Sequence, residues 1–209
     1  AEPWQTDGTA TGTGPIVDLV ANRPGNSSPH AFIRAGSKIL FAADLDGDGT
    51  TRARTAGSDG TAAGTVSLEL PLPRFQPLQG AVAAEHFALI PTHREGESEM
   101  RLYRSDGTPS GTFALLAGLK SLYSLTIIGN RAYFIADDGT HGDELWTTDG
   151  TVAGTRMIVD RNPGPEGSTF ERLRSFLGRL VLYDRGVGYD LVSDGTSLQP
   201  FIDVYPFLA

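Results

Sequence analysis

Glu144-Leu145-Trp146-Thr147-Thr148-Asp149-Gly150-Thr151-Val152-Ala153-Gly154-Thr155 decides the fold, because its pattern returns along the whole chain. The main D-G-T triplets start at Asp7, Asp59, Asp106, Asp149 and Asp194, at intervals of 52, 47, 43 and 45 residues. In the first four a second Gly-Thr follows at a fixed distance: Gly12-Thr13, Gly64-Thr65, Gly111-Thr112 and Gly154-Thr155. The fifth runs instead into Ser197-Leu198-Gln199-Pro200. Two further D-G-T triplets, at Asp48 and Asp138, each lie 11 residues before a main copy and mark a different turn. Such a period, built from short strand-like runs, is the signature of propeller blades.

Each unit reads as four strands. The third is the cleanest: Leu125 to Ile128, the turn Gly129-Asn130, Ala132 to Ala136, Glu144 to Thr147 and Met157 to Asp160. The D-G-T falls between the third and fourth strands, where an Asp accepting backbone N–H bonds and a Gly free to take positive φ make a tight turn. Turn-rich linkers, Asn22 to Pro29 and Asn162 to Ser168, carry the chain between units. The expected division is a trailing half-repeat at 1–28 and repeats at 29–75, 76–121, 122–167 and 168–209, within one domain. A lone four-stranded sheet cannot bury both faces, so the units must stack. The fold expected is all-β, a β-propeller of four-stranded antiparallel blades with about four and a half repeats. It forms a five-bladed ring or part of a larger one. The leading half-unit, Pro3 to Thr6 and Ile16 to Val20, lacks two strands. It is expected to pair with another chain, with residues outside this stretch, or with Phe201 to Tyr205. Trp4, Tyr103 and Trp146 precede the motif at one offset and are expected to fill core between blades.

Composition bounds the partners. The 209 residues carry a formal net charge of −8 and no basic run, which argues against nucleic acid and anionic lipid. With no cysteine, disulfides and thiolate sites are excluded. No apolar run has the length of a membrane span, so no membrane insertion is expected. The chain opens inside a motif, with Glu2-Pro3-Trp4, and reads as processed or as cut from a longer array.

The E-L-W-x-x-D-G-T copy at Glu144 resembles the bacterial ELWxxDGT repeat family. Phe134 to Gly142 before it, with its D-D-G-T-H-G turn, and Ile158-Val159-Asp160-Arg161-Asn162-Pro163-Gly164 after it are similar to that family too. The copies differ: Glu2-Pro3-Trp4, Arg54-Thr55-Ala56, Arg101-Leu102-Tyr103, and Asp190-Leu191-Val192 set one residue closer to its D-G-T. The resemblance covers essentially the whole chain. It implies a propeller-like exported bacterial protein, placed outside the cell, in the periplasm or on the surface, and brings no activity with it.

One loop departs from the repeat toward chemistry. From Phe41 to Gly60 the chain spans 20 residues where Phe134 to Gly150 spans 17, and the added residues create D-x-D-x-D-G at Asp44, Asp46 and Asp48. This looks like the start of the calcium loops of EF-hands and integrin-type blades, with three carboxylates suited to Ca²⁺. Arg52 and Thr55 stand where such loops carry further acids, so carbonyls and water would complete the shell. A solvated acidic turn is the competing reading. His30, His86, His93 and His141 fall at unrelated phases of the repeat, and His141 belongs to the D-D-G-T-H-G turn. The acid pairs Asp137/Asp138 and Asp143/Glu144 alternate across a strand and so diverge. No catalytic residue is assigned, and no nucleotide or hydrolase motif is present.

The leading expectation is a non-catalytic binding or scaffolding module for a protein or glycan. The alternatives are a polysaccharide hydrolase or lyase with a central-channel site, and an assembly subunit self-associating through terminal strands.

Overall fold

The computed structural model describes residues 1–21, 26–45, 54–68, 70, 78–93, 96–186, 189–193 and 197–200. Among them all regular structure is β. Eighteen strands form four four-stranded sheets and one two-stranded sheet. The two-stranded sheet pairs β1 (Trp4–Gln5) with β2 (Gly14–Pro15). The first complete sheet holds β3 (His30–Ala35), β4 (Lys38–Ala43), β5 (Arg54–Ser58) and β6 (Val66–Leu68). The second holds β7 (Val82–Ala83), β8 (Ala88–His93), β9 (Met100–Ser105) and β10 (Phe113–Leu119). The third is β11 (Ser121–Ile128), β12 (Arg131–Asp137), β13 (Asp143–Thr148) and β14 (Arg156–Val159). The fourth is β15 (Phe170–Phe176), β16 (Arg179–Asp184), β17 (Tyr189–Ser193) and β18 (Leu198–Pro200). In each, the strands lie side by side in chain order, with antiparallel pairing.

Local sequence explains the hairpins. Ala35 pairs with Lys38, Ile128 with Arg131 and Phe176 with Arg179, so two-residue loops join first and second strands. The Leu177-Gly178 loop has positive φ at both residues (49° and 74°), the conformation whose twist matches a hairpin. The D-G-T loops join β1 to β2, β5 to β6, β9 to β10 and β13 to β14.

The chain divides into two compact units, Ala1–Glu97 with Tyr103–Ala114, and Ser98–Leu102 with Leu115–Ala209. In the first, Ala35, Leu40 and Leu68 of one sheet pack with Ala88 and Ile90 of the next, and Tyr103 lies half-buried against them. In the second, Ile135 and Leu145 of β12 and β13 pack against Phe170, Leu180 and Leu182 of β15 and β16. Sheet faces thus bury one another, and this burial is the main favourable term in folding.

Two expectations, for Ile16 to Val20 and for Trp4, are corrected. Ile16 to Val20 is not a strand: pairing with β1 stops at Pro15, after which Asp18 turns the chain by accepting the Val20 amide at 3.1 Å. The last described strand is Leu198–Pro200, directly after the fifth motif; Phe201 to Tyr205 lie outside the described residues. Trp4 does not fill core: it is 64% exposed. Asp46, Asp48 and the Asp194 triplet also lie outside the described residues.

Candidate functional site

The repeated motif is closed on itself. In the third sheet the Asp149 Oδ1 accepts the Thr151 amide at 3.0 Å and the Thr151 hydroxyl at 2.7 Å. The Thr151 Oγ1 in turn accepts the Gly154 amide at 2.9 Å, and the Thr155 hydroxyl donates to the Thr151 carbonyl at 2.6 Å. The Thr148 and Thr155 hydroxyls meet at 2.6 Å, and Thr148 Oγ1 accepts the Gly150 amide at 3.0 Å. The same bonds recur around Asp7, Asp59 and Asp106. The functional unit of sequence is therefore [S/T]-D-G-T-x-x-G-T, and sequence reasoning missed its first letter. Both glycines are required. The first takes φ of 83–90° in all four copies, and a Cβ on the second would collide with the Asp carboxylate. The amide and hydroxyl of the Thr two residues on hold the Asp7, Asp59 and Asp149 carboxyls below their ordinary range. These carboxylates are spent on the turn, so the motif is structural.

The motif's Glu has a second structural task. Glu144 is fully buried and accepts the Ser168 hydroxyl at 2.8 and 2.9 Å and the Asn162 amide at 3.2 Å, tying β13 to the linker that follows β14. Glu2 does the same before β1, accepting the Ser27 hydroxyl at 2.6 Å, the Ser27 amide at 3.0 Å and the Leu19 amide at 3.1 Å. Burial pushes the Glu144 carboxyl up, whereas at Glu2 the Ser27 and Leu19 donors outweigh burial and bring it down.

The remaining candidates fall apart chemically. Asp143 faces β11, accepting from Ser121 and, at 3.0 Å, from Tyr123, so it and Glu144 do not converge. Asp138 accepts the Thr140 and His141 amides at 2.9 and 3.0 Å and lies 2.8 Å from His141 Nδ1; this hydrogen bond raises the imidazole pKa. His30 lies 2.8 Å from the Ser28 carbonyl, and His86 is exposed at 3.8 Å from Glu85. Asp44 closes β4, its amide donating to the Ser27 carbonyl at 2.8 Å. Among the described residues no three metal-ligating side chains cluster, and the calcium reading turns on Asp46 and Asp48, outside them.

What stands open is an aromatic groove in the first unit. Trp4, Phe32, Ile39 and Phe41 line a space of about 300 Å³ rimmed by Gln5 and Asp59. Trp4, Phe32 and Ile39 are 64%, 59% and 41% exposed. Phe32 stacks on buried Phe41 at 5.4 Å, and Phe41 is registered against Ala56. In the third sheet the equivalent pair is Phe134 and Trp146, stacked at 6.4 Å. Ala56 thus stands at the Trp position, where Phe41, Ala43, Leu19 and Leu45 pack around it.

No family model matches the chain, and no curated protein matches it. Among solved structures it is similar to puromycin hydrolase, with 13% identity and a TM-score of 0.37 over 94% of this chain and 41% of that one. A puromycin hydrolase mutant complexed with PGG gives 14% identity and a TM-score of 0.35, covering 90% and 40%. The chain spans about two fifths of the length of these structures. Neither likeness carries an argument about its chemistry.

Proposed function

We propose that the chain is a non-catalytic binding or scaffolding module built of ELWxxDGT-like propeller blades, acting outside or on a bacterial cell. Its partner is a protein that contributes strands to the half-sheet β1–β2. One observation supports this reading: Trp4, exposed in a two-stranded sheet, matches Trp146, buried in a four-stranded one. β1 and β2 correspond to β13 and β14 residue for residue, Trp4 opposite Pro15 as Trp146 is opposite Met157. The strand that covers Trp146 is β12, which supplies the Phe134 ring and the Ala136 carbonyl that accepts the indole N–H at 3.1 Å. Beside β1 no described strand takes that place, and an open edge offers unpaired N–H and C=O groups to an incoming strand. The occupant is a hairpin of the same repeat chemistry, with an aromatic residue over the indole.

The chain's own Ser121–Asp137 hairpin, as a synthetic peptide, tests this. With Trp146→Phe, Trp4 is the sole tryptophan of two. Saturable blue-shifted emission on adding the peptide is the expected result. An unchanged Trp4 spectrum at millimolar peptide rejects the reading, and a concentration-dependent dimer by light scattering makes a second copy the natural donor.

A further inference from the structure

The fourth sheet has two unlike faces. One carries Phe170, Leu180 and Leu182 into the core, with Leu173 packed against them. The other follows from the register: Arg172 opposite Tyr183, Arg174 opposite Val181, and Phe176 opposite Arg179. Directly opposed residues share a face, so three arginines, two aromatic rings and one valine line up on it. All three arginines are exposed. Arg172, Arg174, Val181 and Tyr183 line a cavity of about 350 Å³. Glu171 also lines it, but its carboxylate is paired with Arg185. Among the described residues neither Arg172 nor Arg174 has an ion-pair partner. In register, Tyr183 of β16 pairs with Asp190 of β17.

This arrangement stands out in a chain whose formal net charge is −8. Like charges at alternate positions of one strand repel, and an anion held between them relieves that repulsion. Guanidinium forks take carboxylate or sulfate oxygens in pairs, and a flat ring beside them accepts the apolar face of a sugar. We propose that this face is a binding site for an acidic saccharide: a uronate ring resting on Tyr183, its carboxylate held by Arg172 and Arg174, with Arg179 extending the track to the next residue. The site is independent of the β1 edge and of the partner proposed there.

The test is calorimetric titration of the whole chain with tetragalacturonate, using maltotetraose and tetraglutamate as comparisons. The uronate binds, weakens as NaCl is raised, and loses roughly tenfold or more in affinity in R172Q/R174Q. The double variant melts as the parent does, since both side chains are exposed, and Trp4→Ala leaves uronate binding unchanged. Uronate affinity equal in parent and double variant, or no better than that of maltotetraose, overturns the proposal. Tighter binding of tetraglutamate also overturns it, assigning the face to an acidic protein segment.

Discussion

Trp4 and Trp146 occupy the same place in the same motif, each three residues ahead of a D-G-T, yet one is 64% exposed and the other 9%. The loops that follow them are bonded alike, from Thr6 to Thr13 and from Thr148 to Thr155. What differs is the neighbour on the other side: β12 flanks β13, and no described strand flanks β1 on that edge. The motif therefore builds a turn by itself, but the burial of its tryptophan is set by the adjoining strand. Local chemistry and packing are separate layers of this fold.

The sharpest break between the two regions comes from the tryptophans themselves. Trp146→Ala removes a buried ring and its hydrogen bond and is expected to cost about 3–5 kcal/mol in urea denaturation. Trp4→Ala is expected to stay within about 0.5 kcal/mol. Equal losses would mean that the half-sheet is covered in solution by a strand, which would support the proposed mode of partner engagement.

The second glycines probe the layer the regions share. Gly154→Ala drives a Cβ into the Asp149 carboxylate and should destabilise by about 1–3 kcal/mol. Gly12→Ala makes the same collision with Asp7, but in a sheet of two short strands. The global midpoint should then move little, while amide exchange at Thr9 and Gly12 accelerates. A full loss at Gly12 would show that the half-sheet unfolds with the rest.

Glu2 and Glu144 differ in sign. Glu2, with its lowered pKa, contributes stability above about pH 4.3 that is lost as pH falls through its folded value. Glu144, with its raised pKa, contributes most below about pH 4.3 and loses that contribution as pH rises through its folded value. Across about pH 3 to 7, relative to the parent, Glu144→Gln should therefore gain stability as pH rises above about 4.3, and Glu2→Gln should lose it as pH rises up to about 4.3. Urea midpoints across that range check both, and parallel slopes would refute the contrast.

The smallest effect belongs to the acidic insertion after β4, whose counterpart after β12 is the turn carrying Asp138 and His141. With Ca²⁺ at ten times its dissociation constant the stabilisation is about 1.4 kcal/mol, read as a raised melting temperature that disappears in D46N/D48N. No shift at millimolar Ca²⁺ leaves that loop a solvated turn.

Sheet number, strand order and the place of the motif loop were legible because period, hairpin glycines and alternation are local properties of sequence. The exposure of Trp4 was not: the offset that makes Trp146 core applies equally to Trp4, and only the register with Phe134 separates them. The arginine face was missed for a related reason. Arg172, Arg174 and Arg179 are scattered in sequence and form no basic run, and they join only when β15 folds onto β16 about Leu177-Gly178. The Glu clamp was invisible too, since its partners Ser27 and Ser168 sit more than twenty residues away. By contrast, the Ser or Thr that opens the motif was in plain view at four positions, and counting on from Asp passed it over.

The hydroxyl relay of the motif loop bears on descent as well as on stability. Each hydroxyl in it donates once and accepts at least once, and all its partners lie within eight residues. A segment that satisfies its own polar groups needs nothing from its surroundings to close. When the coding stretch is duplicated, the new copy arrives with a working turn, whatever strands it lands between. Selection is then free to vary what flanks it, such as tryptophan in one copy, tyrosine in another and alanine in a third, without first repairing the loop.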